Sequence, residues 1–255
     1  MKVRDVLDYL WTLAPLSCKE SWDNVGFLCG HEEAPVTRVL VALDAAQDVA
    51  QEAEALGCEL VVTHHPLIFK GAMHVTDRDI TGQTLLAFAE RRLAVISMHT
   101  NLDCAEGGVN DVLAQRLGLR EIEVLPDGET AGLIRCGIRP EESLDSFAAF
   151  VKQTLCCPGL RFVRSGRPVR RVAVGGGSCG EFLERVCDAG CDTFVTADVK
   201  YHTFCEAKQL GVNLIDAGHY ETEQPVCEML AQKLRGQLAG VEILLSAHRN
   251  YTEFL

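Results

Sequence analysis

Short runs of consecutive apolar residues alternate with stretches of helical periodicity along almost the whole chain. Val39–Leu43, Leu60–Thr63 and Ala94–Met98 read as strands, and Val49–Leu56, Thr84–Arg92 and Val109–Leu117 as helices. Further on, Val172–Val174, Thr193–Thr196 and Val212–Ile215 read as strands, with helices at Glu181–Ala189, His202–Leu210 and Pro225–Leu234. Strands that are apolar throughout, rather than at every second residue, are buried on both faces. The pattern therefore predicts an α/β fold, with helices packed over mostly parallel sheets.

The two halves resemble each other. Arg38-Val-Leu-Val-Ala leads through a helix to Gly57-Cys58-Glu59, an apolar run, and His64-His65. Arg171-Val-Ala-Val-Gly leads through a helix to Gly190-Cys191-Asp192, an apolar run, and Ala197-Asp198. Each half later reaches a histidine followed four residues on by a carboxylate, His99…Asp103 and His219…Glu223. This order predicts a duplicated unit. The expected domains are 1–125, with His64, His65, His99 and Asp103, and 126–255, with Asp198, His202, His219 and Glu223. The join is expected within Glu121–Ser143, where residues 128–132 and Pro140-Glu-Glu-Ser look linker-like, and the C-terminal segment could return to the first domain.

Of 255 residues, 47% are hydrophobic and 24% charged, enough apolar material for real cores. The net charge of −12 opposes broad nucleic-acid binding. No apolar run is long enough for a membrane span, and Met1-Lys2-Val3-Arg4-Asp5 meets an acid before any apolar region, unlike a secretory signal. The expected location is the cytoplasm. Twelve cysteines include no C-x-x-C pair and mostly sit inside apolar patterns, so they read as reduced, buried thiols. Cys104 is the candidate nucleophile to watch, although the adjacent Asp103 would disfavour its thiolate.

Ligands of open α/β sheets bind beyond the carboxyl ends of the strands. His64-His65, His99 with Asp103, and His219 with Glu223 all fall at such ends. A single strand-end histidine is usually just a hydrogen-bonded residue, and His-x-x-x-acid also suits an ion pair. Several such elements at equivalent places favour a metal site. Imidazole plus carboxylate, without thiolate, suits Zn, Fe, Mn or Co rather than Ca or Mg. The ligands suffice for two divalent ions sharing a carboxylate, which points to hydrolysis.

Ser21-Trp-Asp-Asn-Val-Gly26, Thr63-His-His-Pro66, His99-Thr-Asn-Leu-Asp103 and Gly218-His-Tyr-Glu-Thr-Glu223 together resemble the signature blocks of the Nif-three-like dinuclear metal-centre family. Its members are often named GTP cyclohydrolase 1 type 2 homologues. The resemblance runs in order over nearly the whole chain. It implies a toroidal homohexamer with a metal pair between two α/β domains. It places His64, Asp103 and Glu223 on one ion and His65, His219 and Glu223 on the other, with His99 close by as a non-ligand. The family carries Gly-Asp-x-x-x-His where this chain has Ala197-Asp198-Val-Lys200-Tyr-His202. Lys200 and His202 either begin a solvated helix or line the cleft and hold an anionic substrate. Trp22 and Asn24 could equally be core and turn residues.

Gly175-Gly-Gly-Ser-Cys-Gly180 fits G-x-G-x-x-G after a strand. It reads as a tight strand-to-helix turn, with phosphate binding at its N–H groups or a nicotinamide cofactor as alternatives. The leading expectation is a metal-dependent hydrolase of a small phosphorylated or nucleotide-like compound, with His99 or His202 carrying protons and Lys200 fixing the anion. A non-catalytic metal scaffold or metal chaperone is the other reading.

Overall fold

A computed structural model describes residues 1–125 and 132–255. The chain divides into two compact units, residues 1–105 with 226–249, and residues 106–225 with 250–255.

The first unit holds a five-stranded sheet in the order β1-β4-β3-β2-β11. Its strands are β1 (Gly26–Cys29), β2 (Arg38–Ala42), β3 (Leu60–Thr63), β4 (Ala94–Ser97) and β11 (Glu242–Leu245). β11, β2, β3 and β4 run parallel, and β1 is antiparallel on the β4 edge. Leu40, Ala42, Val61 and Val95 pack on Val49, Ala50 and Ala53 of α2 (Gln47–Ala55) and on Leu85 and Phe88 of α3 (Ile80–Glu90). The alternate residues Val39, Val41, Leu60, Val62 and Ile96 are equally buried. These strands read as continuous apolar runs because both faces are covered. Helix α1 (Val3–Leu13) buries Val3, Val6 and Leu10, a one-sided helical stripe.

The second unit holds six strands in the order β5-β6-β8-β9-β10-β7. Its parallel centre is β8 (Val169–Val174), β9 (Thr193–Thr196) and β10 (Asn213–Asp216). Antiparallel β5 (Arg120–Leu125) and β6 (Ile134–Glu142) flank one side, and β7 (Arg161–Val163) the other. Val172, Val174, Val195 and Ile215 face Leu113 of α5 (Val109–Arg116) and Phe147 and Val151 of α6 (Leu144–Thr154). Their neighbours Ala173, Phe194 and Leu214 face Leu183 and Val186 of α7 (Leu183–Asp188) and Ala207 of α8 (Tyr201–Leu210). Both units are thus α/β, as expected.

The internal repeat has a physical basis. Glu59 accepts from the N–H groups of Thr37 and Arg38 at 3.0 and 2.8 Å. Asp192 does the same for Arg170 and Arg171, at 3.1 and 2.8 Å. In each Gly-Cys-acid block the acid ties the start of one strand to the start of the next. Its preceding glycine, Gly57 or Gly190, holds a left-handed φ of +66° or +75°.

The stretch expected to join the domains is largely sheet. β5 pairs with β6, so the division expected at residue 125 falls inside the second unit, and residues 226–249 return to the first. β5 does not read as an apolar run because it is a mostly exposed edge strand in which Arg120, Glu121 and Glu123 interrupt the apolar residues. Of the linker-like residues 128–132, only Gly132 is among those described. No described helix is long and apolar enough to cross a membrane.

Seven cysteines, Cys104 among them, are buried. Burial pushes the Cys58 thiol up to about 11. Burial, reinforced by Glu221, pushes Cys157 up to about 12, so both remain thiols near neutral pH.

Candidate metal centre

In the first unit, β3 delivers His64 and His65 at its carboxyl end. Both backbone N–H groups donate to Leu43 O, at 3.2 and 2.8 Å, and the Thr63 hydroxyl donates to His65 O at 2.8 Å. His64 is fully buried, with Nδ1 2.8 Å from Met98 O. A carbonyl only accepts, so Nδ1 carries the proton and Nε2 is the lone-pair nitrogen. His65 Nδ1 is held at 2.7 Å by Asp44, which follows β2. His99, after β4, has Nδ1 2.9 Å from Asp23. The short helix α4 (Thr100–Cys104) then sets Asp103 Oδ1 3.6 Å from His64 Nε2, too far for a hydrogen bond. Ligand nitrogens of His64, His65 and His99 lie within 4.8 Å of one another.

In the second unit, α9 (His219–Glu223) begins just after β10. The i,i+4 spacing puts Glu223 Oε2 3.0 Å from His219 Nε2. His219 Nδ1 is 2.7 Å from Asp198, which adopts a left-handed φ of +51°. Asp216 joins the two loops: its carboxylate accepts from Val199 N at 3.1 Å and Gly218 N at 3.2 Å. Glu223 is buried, and a Cβ on Gly177 would come within 2.2 Å of its Oε1. Glycine at 177 leaves the carboxylate its place.

This pattern fits a metal. Each of the four imidazoles is bonded through Nδ1 to a carboxylate or carbonyl, the means by which proteins fix the tautomer and orientation of ligating histidines. Nε2 of His64 and of His219 is turned to a carboxylate. Imidazole and carboxylate donors suit Zn, Fe, Mn or Co.

The family description Duf34/NIF3 (NGG1p interacting factor 3) matches residues 1–251. The chain belongs to this family. A "GTP cyclohydrolase 1 type 2 homolog" of Clostridium perfringens is 31% identical over 252 residues, covering 96% of each chain. One of the same name from a Nostoc species is 38% identical over 254 residues, covering 92% of each. The crystal structure of a Staphylococcus aureus hypothetical protein is similar at a TM-score of 0.91 and 30% identity, covering 100% of this chain and 99% of its own. A Bacillus cereus protein related to NIF3 shares the fold at a TM-score of 0.90, with 24% identity over 100% of this chain and 99% of its own.

Lys200 and His202 are exposed at the start of α8 and line a cavity of about 300 Å³ in the second unit. Ser178, Glu181, Glu184, Asp198 and Glu206 share that lining, so it carries more acid than base. The Gly175–Gly180 turn uses its N–H groups internally. Gly175 N donates to Val195 O, Gly176 N to Asn110 and Gly177 N to Thr222, at 2.7–3.0 Å. It is a packed turn beside Glu223, and those donors are not presented to a phosphate. Trp22 is exposed rather than core, and Asn24 Nδ2 donates to Ile68 O at 2.6 Å.

The sequence pattern assigns nothing to Asp44 or Asp216, and it sets Asp23 only within a family block and Asp198 only at a strand end, without naming either as a partner of a histidine. The available signal was position: Asp44 and Asp216 also stand at strand ends.

Asp23 has its own measurable signature. Burial acts to raise its pKa, but hydrogen bonds from His99 and Thr100 outweigh that and hold it at about 2 instead of 3.8. A lowered folded-state pKa stabilises above the unfolded value, and that stability is lost as pH falls through the folded value. Between pH 4 and 2 the protein is expected to lose about 2 kcal/mol more than Asp23→Asn does. Urea midpoints across that range measure it, and parallel curves for the two proteins would refute it.

Proposed function

We propose that the chain binds two divalent transition-metal ions through His64, His65, Asp103, His219 and Glu223, and uses them to hydrolyse a small phosphorylated or nucleotide-like compound. The observation that carries this reading is the Nδ1 anchoring of every histidine at the strand ends. The division of ligands follows the resemblance, with Glu223 serving both ions. Bound ions of this class polarise an electrophilic oxygen and make water a better nucleophile near neutral pH.

The protein's own groups orient and move protons. Asp44 and Asp198 hold His65 and His219 in the tautomer that presents Nε2. His99, held by Asp23, presents its own Nε2 and serves as the proton carrier in the first unit. In the second unit His202 is the alternative carrier, and Lys200 supplies the positive charge for an anionic group. The working assembly in this proposal is a ring of six chains, carried by the family resemblance.

The test is a screen of phosphate esters and nucleotides with protein as isolated, after chelation, and as His64→Ala. A rate that needs metal and falls at least a hundredfold in His64→Ala, with Cys104→Ala unaffected, is the expected result. Metal bound tightly without any turnover would transfer the argument to a metal scaffold or chaperone.

A further inference from the structure

Trp22 and Phe69 are large aromatic side chains left 58% and 52% exposed. Their ring centroids are 5.7 Å apart, and each lies 6.1 Å from the ring of His99. His99 stands edge-on to both, at 76° and 74°, while Trp22 and Phe69 meet at 57°. The three rings therefore make an open notch with His99 at its back.

The notch is held by the rest of the unit. Asp23, next to Trp22, bonds His99 Nδ1 and the Thr100 N–H at 2.9 and 3.0 Å. Glu20 N donates to the Thr100 hydroxyl at 3.0 Å. Asn24 reaches across to Ile68 O, the residue before Phe69, at 2.6 Å. One loop thus fixes Trp22, His99 and the Phe69 segment together. A ligand entering would not have to order the walls first.

We propose that Trp22 and Phe69 receive the planar heteroaromatic ring of a small-molecule substrate, placing the rest of that molecule against His99 and the His64-His65 pair. The inference rests on the metal-centre reading for what lies beside the ring, but ring capture itself needs only the notch. A flat ring gains from face contact with an exposed aromatic, whatever its hydrogen-bonding edge. An aliphatic chain gains mainly from enclosure, which half-exposed walls do not provide. A second protein chain would need roughly 800 Å² on this side alone, well beyond two rings backed by a polar histidine.

Trp11 and Trp22 are the two tryptophans of the chain, so Trp11→Phe leaves Trp22 as the fluorescence reporter. In that background AMP, GMP and nicotinamide mononucleotide are titrated against ribose 5-phosphate, which keeps the phosphate and sugar without a ring. At least one ring compound is expected to quench Trp22 saturably and bind about tenfold more tightly than ribose 5-phosphate. Phe69→Ala should abolish that advantage, and Phe69→Tyr should retain it. Metal content and native mass are measured on the same samples. Normal metal with no ring preference, or a preference unchanged in Phe69→Ala, overturns the inference. So does a fall in native mass in Phe69→Ala, which would make the patch a contact between copies. Ring preference in protein that binds no metal would sink the metal-centre reading and leave the notch standing.

Discussion

Glu223→Gln is expected to leave the protein almost without metal, against about two ions per chain in the unaltered protein. The substitution keeps the shape of a buried side chain and removes its charge, so circular dichroism should not change. What it removes is the anionic donor 3.0 Å from His219 Nε2. In the proposed ligand set that donor serves both ions, whereas Asp103 serves one. Asp103→Asn should therefore retain about one ion where Glu223→Gln retains close to none. Gly177→Ala is a second route to the same end. Its Cβ would take the space 2.2 Å from Glu223 Oε1, at a residue whose φ of +63° already disfavours a side chain. Elemental analysis after gel filtration decides the matter. One ion held equally by the parent and Glu223→Gln would remove Glu223 from the ligand set and with it the paired-metal reading.

The strands at the centre of each sheet were legible because burial on both faces makes consecutive residues apolar, as in residues 39–42, 60–62 and 94–96, with polar residues confined to the strand ends there. That same rule placed the strand-end histidines, since a polar pair after Leu60-Val-Val-Thr has to lie where the sheet stops. The strands that escaped notice are those for which burial is one-sided or partial. β5 is mostly exposed, β7 has three residues, and β11 joins the first sheet from the far end of the chain. Periodicity carries no information about which distant segment fills an edge.

The supporting carboxylates were illegible for a related reason. Asp44 is 21 residues from His65 and Asp23 is 76 from His99, so no local spacing links them. His248 is further still: its Nδ1 is 2.9 Å from Asp48, and its Nε2 is 3.5 Å from Asp44. The glycine-rich turn misled in the other direction. Its spacing allows a phosphate loop, yet glycine is required there because Glu223 occupies the space a Cβ would need. A motif of glycines records where the backbone is approached closely, without recording by what.

Arg135→Met is expected to destabilise the second unit by about 3–5 kcal/mol. Among the described residues, Arg135 is the largest fully buried side chain. Its Nε donates to Asp111 Oδ1 and its Nη1 to Gly132 O at 2.9 Å, while Asp111 Oδ2 accepts from Gly107 N at 2.6 Å. Methionine fills much of the volume but strands the Asp111 carboxylate, which is only 15% exposed, beside apolar surface. A buried charge deprived of its partner is what makes such single changes severe. Replacing the pair together, as Arg135→Met with Asp111→Leu, should recover most of the loss, apart from about 1 kcal/mol for the Gly107 hydrogen bond. The consequence extends to the metal half-site. Asp111 and Asn110 are neighbours in α5, and Asn110 accepts from Gly176 N at 2.7 Å, in the turn packed on Glu223. Arg135→Met should therefore also lose metal to a chelator faster than the parent, and the double variant should regain much of the difference. Both tryptophans lie in the first unit, so urea unfolding must be followed by circular dichroism. A single variant within 1 kcal/mol of the parent, or a double variant no more stable than the single, would show that the Arg135–Asp111 pair does not hold α5 in place.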